Sequence, residues 1–217
     1  MQIIWKGQSC FQIITSPAKD VQISLVIDPF SEEIGLKMPD LTADIVLTTH
    51  NHYDHNNVKA VKGNPFLIDG PGEYEIKGVY VQGIPGFHDN SFGKERGRIT
   101  IYTIESEEIK VCHLSDLGQK ELFPEQVEDI GEVDILLVPV GNLYTIDSQE
   151  AVKVISQIEP RIVIPMHYAL PKLKIKLDGV EKFLKAIGKK SIEPLPKLTV
   201  KKKDLSLEET ETIVLKP

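Results

Sequence analysis

The chain contains little of what membrane-spanning, disulfide-stabilised or nucleic-acid-binding proteins depend on. No apolar run approaches the roughly 20 residues of a membrane-spanning helix. The two cysteines, Cys10 and Cys112, lie in strand-like stretches, and we interpret them as reduced, buried apolar side chains. The 25 Lys and Arg against 32 Asp and Glu give a formal charge of −7, which disfavours a protein that mainly binds nucleic acid phosphates.

The remaining composition indicates a folded, soluble protein. At 217 residues, with 41% apolar and 26% charged residues, the chain can bury a core as a single domain, 1–217, and is neither a disordered tail nor a coiled coil. The amino-terminal stretch MQIIWKGQSCFQIITS has no charged region before an uninterrupted apolar segment. We therefore interpret it as a first strand rather than a signal peptide, and we expect a cytoplasmic protein.

Extended segments dominate the chain. Between Val21 and Ile27, apolar residues alternate with more polar ones, as in a strand. Similar segments lie at 11–15, 44–49, 65–68, 73–84, 98–105, 108–114, 134–140 and 161–165. Many strands with few helices favour an α/β or α+β sandwich over a helical bundle.

Three short helices are predicted. Asp147 with Glu150 forms the pattern of a capping box, and the helix that follows should end before Pro160. Asp178 with Glu181 has the same pattern, with Gly188 as the residue after the helix. A further short helix is expected after His55.

One internal similarity and the carboxyl-terminal tail bear on the organisation of the chain. ADIVLTTH at 43–50 and VDILLVPVG at 133–141 share an aspartate followed by an apolar run. The similarity suggests two similar halves that meet face to face and divide near 105–108.

The tail from 197, with three lysines at 201–203, predicts a charged edge hairpin, with anion binding as the alternative for the lysines.

The stretch TTHNHYDHNN, residues 48–57, carries most of the chemical information. In an extended segment His50 and His52 point to the same side, so both imidazoles can reach one ion. Where the chain then turns, Asp54 and His55 can reach a second position nearby. So dense a group of nitrogen and oxygen donors is typical of divalent metal sites, and the alternative is a polar turn that merely contains histidines.

Three further residues each follow an extended segment: His88 in GIPGFHDN, Asp116 in VCHLSDLG and His167 in RIVIPMHY. Each alone is more often a hydrogen-bonded structural residue. Together they supply the donors that the first motif lacks, and strand ends are where α/β folds place their clefts.

With these residues the chain resembles the metallo-β-lactamase superfamily, whose pattern is H-x-H-x-D-H after a strand, then a separate His, an Asp and a last His. The stretches WKGQSCF, VIDPF, CHLSDLG, VPVGNLYTID and IPMHY resemble the branch that contains the ascorbate-phosphate lactonase type and related Zn-dependent hydrolases. The resemblance covers nearly the whole chain and is weakest after about residue 190. It implies a four-layer αβ/βα sandwich with a dinuclear metal centre between the sheets.

The resemblance also implies the ligands and the reaction. One metal would be held by His50, His52 and His88, the other by Asp54, His55 and His167, with Asp116 bridging the two. The two divalent ions would be Zn²⁺, with Mn²⁺ or Fe²⁺ as alternatives. A hydroxide bridging them would cleave an ester, lactone or phosphodiester bond, with Asp54 and Asp116 as catalytic residues. Since only these two carboxylates offset the charge of the ions, a small anionic substrate is expected.

Other candidates around this centre come with alternatives. Asp28 could orient a ligand imidazole or form an ordinary Asp-Pro turn, and Asp89 could take a proton near His88 or cap a loop. His113 is a candidate catalytic residue, although a supporting or structural role is favoured. The candidates for binding substrate are Tyr144, Tyr168, Lys94 and Arg96, and a structural wall or a solvated hairpin tip is the alternative for each.

Three other functions stay open. A nuclease of the same fold would need a basic arm, which the charge of −7 disfavours. Oxygen or nitric oxide reduction at two irons is typical of H-x-E-x-D-H, whereas this chain has His52 at the third position. The last is a metal-binding or interaction module without catalysis. The sequence specifies neither the substrate nor the oligomeric state.

Overall fold

The computed structural model describes residues 1–206 and 209–217. Within these ranges the strands are β1 (Gln2–Gly7), β2 (Cys10–Ala18), β3 (Val21–Ile27), β4 (Leu41–Thr42), β5 (Ile45–Leu47), β6 (Val61–Lys62), β7 (Phe66–Ile68), β8 (Gly72–Ile76), β9 (Val79–Phe87), β10 (Arg98–Ser106), β11 (Ile109–His113), β12 (Ile135–Pro139), β13 (Ile162–Met166), β14 (Leu198–Thr199) and β15 (Glu211–Thr212). The α-helices are α1 (Pro124–Ile130), α2 (Ser148–Ile158) and α3 (Val180–Ala186). Short 3₁₀ helices span Glu32–Ile34, Val58–Ala60 and Lys202–Asp204.

Two mixed sheets pack face to face around one core. The first has the strand order β14-β1-β2-β3-β5-β7 and the second the order β15-β13-β12-β11-β10-β9-β8. Ile13 and Leu25 of the first sheet join Val81 and Ile101 of the second in a single buried cluster. The Tyr102 side chain extends from the second sheet to the first, where its hydroxyl donates a hydrogen bond to the Thr48 carbonyl oxygen, just after β5. The predicted α/β sandwich is confirmed.

The outer faces of the two sheets are covered differently. Leu25 and Ile27 of β3 face the shared core, whereas Val26 between them packs in a second cluster on the opposite face of the sheet. That second cluster includes Phe30 and Ile34 and lies beneath a 3₁₀ helix and the small sheet β4-β6. The α-helices instead lie on the side of the second sheet, where α1 packs on β9, α2 packs on β12, and α3 packs on α2. Cys10 and Cys112 are buried and unpaired.

Several predicted elements divide into smaller ones. The amino-terminal segment, predicted as one strand, holds β1 and β2, joined by a turn at Gln8 with φ 52°. The segment 73–84 likewise folds as the hairpin β8-β9. The helix expected after His55 is a turn followed by the three-residue 3₁₀ helix Val58–Ala60, because Asn57 is held to the Pro29 carbonyl oxygen at 2.8 Å.

The helix predictions have mixed outcomes. The capping box of α2 is confirmed: Asp147 accepts hydrogen bonds from the backbone of Glu150, and the Glu150 carboxylate accepts one from Asp147 N–H at 2.9 Å. The box predicted at Asp178 is wrong, because Gly179 occupies the N-cap of α3 and the Asp178 carboxylate pairs with Lys182 at 2.6 Å. Helix α1 was not predicted. It begins at a proline, and the Gln126 side chain accepts a hydrogen bond from the backbone before it.

The predicted edge hairpin in the tail is wrong. β14 pairs with β1 at the edge of the first sheet, whereas β15 pairs with β13 at the edge of the second. Lys202 is also less solvated than predicted, since its ammonium lies 2.9 Å from the Asp134 carboxylate. Residues 207–208 of this tail lie outside the described residues.

The internal similarity corresponds to two equivalent strands. Asp44 and Asp134 each precede a strand that pairs in parallel on both sides, β5 and β12. Each carboxylate accepts a backbone hydrogen bond from the neighbouring strand, from Ser24 N–H at 3.0 Å and from Lys110 N–H at 2.9 Å. Residues 105–108, where the division is predicted, lie at the turn between β10 and β11 within the second sheet. The chain passes from the first sheet to the second earlier, between β7 and β8. None of the described helices has the length and apolarity to cross a membrane.

Candidate metal centre

The candidate site lies at the carboxyl ends of strands from both sheets. Asp28 follows β3, His50 lies three residues after β5, Asp116 three residues after β11, and His167 directly after β13. β3 and β5 are parallel neighbours, as are β12 and β13, so these ends meet at one edge of each sheet. This is the edge at which α/β proteins form clefts.

The seven predicted metal-ligating residues lie in two adjacent groups. We define the histidine cluster as His50, His52 and His88, and the carboxylate cluster as Asp54, His55, Asp116 and His167. Within each cluster the potential ligating atoms lie within 4.8 Å of one another. The structure thus brings these side chains together, and their binding of metal stays a prediction.

The histidine cluster is a partly exposed group of three imidazoles. His50 Nε2 lies 3.0 Å from His52 Nδ1, and the His88 ring centroid lies 4.9 Å from that of His50. Burial and the nearby His55 lower the pKa of His50 to about 2. Burial likewise lowers the pKa of His88. Neutral imidazole is the form that ligates metals.

The carboxylate cluster is buried at the floor of the site, and Asp116 lies at its centre. Asp116 Oδ2 is 3.1 Å from His55 Nε2, 3.2 Å from His167 Nε2 and 3.6 Å from His88 Nε2, so one oxygen contacts both clusters. Burial disfavours the ionised carboxyl, but the charges of His167 and His55 outweigh it and hold the pKa of Asp116 well below its usual range. Burial likewise opposes the charge on His55, yet Asp116 and Asp28 raise the pKa of His55 well above its usual value.

Asp28 supports both clusters from beneath. Its Oδ2 accepts a hydrogen bond from His55 Nδ1 at 2.8 Å and another from the Thr49 hydroxyl at 2.8 Å. Since the hydroxyl proton points to Asp28, the Thr49 oxygen accepts from His50 Nδ1 at 3.0 Å. Both imidazoles therefore carry a proton on Nδ1 and present Nε2 to the site. Asp28 and Thr49 thus fix the orientation of the two rings, as the outer hydrogen-bond partners of metal-ligating histidines do. Thr49 was not predicted.

Gln8 and Ser9, in the turn between β1 and β2, were also missed. Gln8 Nε2 donates a hydrogen bond to Asp54 Oδ2 at 3.2 Å, and Ser9 Oγ donates to Asp116 Oδ1 at 3.1 Å. Both side chains are buried. In the sequence both residues lie in WKGQSCF, one of the stretches that carry the family resemblance, but nothing near them indicates which carboxylates they contact.

The backbone is strained where it delivers these side chains. Asp28, Ser115 and His167 have φ of 48°, 55° and 50°, a conformation that residues other than glycine rarely adopt. A Cβ at Gly141 would lie 2.0 Å from the His167 carbonyl oxygen, so glycine is required there for the two loops to approach. Such strain concentrates at functional sites, because the surrounding structure must hold it in place.

The site opens into a cavity of about 810 Å³. The ligand-set residues that line the cavity are His52, Asp54, His88, Asp116 and His167. The other lining residues are Asn51, Tyr53, Arg96, Leu143, Tyr144, Lys174, Ile175 and Lys176. Two predicted substrate-binding residues, Arg96 and Tyr144, are thus at the cavity, whereas Lys174 and Lys176 were missed.

Three predicted site residues lie elsewhere. The Tyr168 ring packs against Trp5, with the ring centroids 4.8 Å apart, and its hydroxyl donates a hydrogen bond to the Leu215 carbonyl oxygen at 3.3 Å. Its role is therefore structural, as the alternative interpretation has it. Lys94 is exposed and does not line the cavity. His113 is buried, donating from Nε2 to the Ser9 carbonyl oxygen and accepting at Nδ1 from Ser115 N–H, so both nitrogens are engaged in structural bonds rather than catalysis.

Asp89 is a loop cap. Its carboxylate accepts four backbone hydrogen bonds, from the N–H groups of Ser91, Gly93, Glu95 and Arg96. Although burial opposes ionisation, these bonds lower the pKa of Asp89. Of the two roles considered, the loop cap is the one that its contacts support.

The donor set fits divalent metal ions. Asp28, Asp54 and Asp116 are three buried carboxylates, and their only ion-pair partners in the described part of the chain are histidines. Buried carboxylates without compensating charge are costly, and cations among them would offset that cost. Imidazole and carboxylate donors together suit zinc, manganese and iron.

Comparison with known proteins gives consistent matches. The family model described as "Beta-lactamase superfamily domain" matches residues 2–167. A UPF0173 metal-dependent hydrolase of Thermoplasma volcanium is 31% identical, over 77% of this chain and 83% of that protein. Another, from Salinibacter ruber, is 30% identical over 83% of this chain and 91% of that protein.

A solved structure from Thermotoga maritima is 38% identical and superposes with a TM-score of 0.79, covering 99% of this chain and 97% of that one. It is described as a proposed Zn-dependent hydrolase of the metallo-β-lactamase superfamily. The narrower resemblance to the ascorbate-phosphate lactonase branch stays a prediction.

Proposed function

Since the chain belongs to the metallo-β-lactamase superfamily, we propose that it is a dinuclear metal-dependent hydrolase that cleaves an ester, lactone or phosphodiester bond. The observation that carries the proposal is the position of Asp116 Oδ2, within 3.6 Å of ring nitrogens from both clusters and at the wall of the cavity. A carboxylate so placed can bridge two ions while it faces the substrate.

The chain would hold one ion with the histidine cluster and the other with Asp54, His55 and His167, joined by Asp116. When bound, such ions lower the pKa of a coordinated water and polarise the oxygen of the scissile bond. We propose zinc, because the 38% identical relative is described as Zn-dependent, and the donor set also accepts manganese or iron.

The residues of the chain have separable roles in this proposal. The low pKa values of Asp54, about 2, and of Asp116 keep both carboxylates ionised at neutral pH, where they balance the charge of the ions. Ser9 and Gln8 hold those carboxylates in place, and Asp28 orients His55. The buried floor of the site excludes bulk water, so these interactions are stronger than in solution.

The test is reconstitution of the metal-free protein with zinc or manganese, followed by a screen of carboxylic esters, lactones, phosphodiesters and thioesters. We expect metal-dependent turnover of at least one class and its loss in Asp116→Asn. Equal rates for the two proteins would show that the bridging assignment is wrong. Inactivity of the fully loaded protein on every class would favour a metal-binding module without catalysis.

A further inference from the structure

Away from the two clusters, the charged residues at the cavity are all cationic. Arg96, Lys174 and Lys176 line it, and the only carboxylates in its wall are Asp54 and Asp116 of the carboxylate cluster. None of the three cations pairs with a carboxylate in the part of the chain that the structure describes. The chain as a whole carries a charge of −7, so these three cations give this part of the surface a charge opposite to that of the whole protein.

The two lysines are presented by a strap, residues 169–178, whose ends are joined by a hydrogen bond from Ala169 N–H to the Asp178 carbonyl oxygen at 2.9 Å. Midway, Lys174 N–H donates to the Ile34 carbonyl oxygen at 2.8 Å. Leu173 packs against the second hydrophobic cluster. In the alternation Leu-Lys-Ile-Lys-Leu at 173–177, Ile175 packs against the same cluster, while it and the two lysines line the cavity.

Arg96 is presented by a separate loop. The four backbone hydrogen bonds accepted by Asp89 hold the loop that carries it. The Arg96 guanidinium lies 3.6 Å from the ring centroid of Tyr144. Stacking uses the face of the guanidinium and leaves its N–H groups, which lie in the plane, available for an anion.

We propose that Arg96, Lys174 and Lys176 form a subsite for an acidic group of the substrate, a phosphate or a carboxylate that lies apart from the bond to be cleaved. Tyr53, Leu143 and Ile175 also line the cavity and would contact an apolar part of the same molecule. The proposal rests on the proposed function, since it assigns a substrate class to the same cavity. Positive charge at a cavity mouth raises both the affinity and the rate of association for anions, and the effect decreases with salt.

A binding experiment tests the subsite without turnover. The probe is pyrene tetrasulfonate, a fluorescent aromatic tetra-anion whose sulfonates are weak metal ligands, titrated into the metal-loaded protein and followed by anisotropy. The rim variant is Arg96→Gln with Lys174→Gln and Lys176→Gln. The matched control is Lys172→Gln with Lys185→Gln and Lys189→Gln, which removes the same charge from exposed residues that do not line the cavity.

At low salt we expect the rim variant to bind the probe about 10-fold more weakly than the wild type, since exposed charge pairs contribute a few-fold each. The control should change by less than about 2-fold, as should the metal content of both variants. Displacement of the probe by phenyl phosphate and by phenylacetate then identifies which acid the subsite prefers. Equal affinities of rim variant and control, or no binding by the wild type, would overturn the proposal.

A kinetic experiment separates this proposal from the proposed function. The nitrophenyl monoester of glutarate, which carries a distal carboxylate, is compared with nitrophenyl butyrate, which is neutral. The ratio of their kcat/KM values should fall about 10-fold in the rim variant and stay constant in the control. If the wild type cleaves neither ester but the probe still distinguishes the variants, the proposed esterase chemistry fails while the anion subsite stands.

Discussion

The histidine cluster and the carboxylate cluster lie side by side, yet they are built differently. The first has two half-buried imidazoles from a single turn, His50 and His52, with the buried His88 directly after β9, and it contains no carboxylate. The second is buried, contains two carboxylates and draws on segments that are far apart in sequence. Each cluster takes two residues from the motif at 50–55, but the carboxylate cluster adds two from distant segments, Asp116 and His167, where the histidine cluster adds only His88.

The difference extends to the supporting hydrogen bonds. Among the described residues, the side chains that hydrogen-bond the carboxylate cluster from outside are Gln8, Ser9 and Asp28, whereas Thr49, itself bonded to Asp28, does so for the histidine cluster. Because removing one partner of a buried charged group costs several kcal/mol, the carboxylate cluster should be the more sensitive of the two.

The largest effect is expected from Asp116→Asn, because its carboxylate contacts both clusters. We expect turnover to fall by about 10³-fold, equivalent to several kcal/mol of transition-state stabilisation. Bound metal per chain, measured by mass spectrometry of the purified protein, should also decrease. Asp134→Asn is the matched control, since it alters a buried carboxylate at the opposite end of a central strand. Equal metal content in the two variants would show that the Asp116 carboxylate does not hold the metal.

The second prediction contrasts one histidine of each cluster. His55→Ala leaves Asp28 and Asp116 buried without the imidazole between them, and should lower the free energy of unfolding of the metal-free protein by about 3 kcal/mol. His52→Ala, at a half-exposed position, should lower it by less than about 1 kcal/mol. Urea unfolding measures both values. Similar losses would mean that the two clusters do not differ in their coupling to the fold.

The third prediction concerns Asp28, the one residue that supports both clusters. Asp28→Asn should weaken both metal-binding steps by about 10- to 100-fold, because it disturbs the orientation of His55 and, through Thr49, of His50. Titration of the metal-free protein against a chelating indicator resolves the two steps. A change confined to one step would show that Asp28 serves only one cluster.

The smallest effects should come from a pair of single-cluster variants. Thr49→Val should weaken binding at the histidine cluster, and Gln8→Leu at the carboxylate cluster, by about 10-fold each. The same titration should show the two losses in different steps. If both variants affected the same step, the hydrogen bonds would not separate the clusters as described.

The comparison also explains which residues could be predicted. His50, His52, Asp54 and His55 lie within six positions of one another, so their proximity follows from chain connectivity. Asp116 and His167 were found because residues just beyond parallel strands gather at one edge. The predicted helix α2 was correct for a similar reason, since its capping box is a purely local interaction.

The residues that were missed or misplaced depend on distant contacts. Ser9 and Asp116 are 107 positions apart, and nothing near either one indicates their hydrogen bond. Tyr168 and His113 also stand at strand ends, but their side chains turn into the core. A position at a strand end does not determine which way the side chain points.

The sequence by itself therefore determined the fold class and a concentrated set of candidate metal donors, because strand patterns and short motifs depend on neighbours along the chain. The tertiary structure alone decided which supporting residues reach the carboxylates and which cations line the cavity. Those outcomes depend on the packing of two sheets against each other, and on loops whose conformation neither periodicity nor motif spacing specifies.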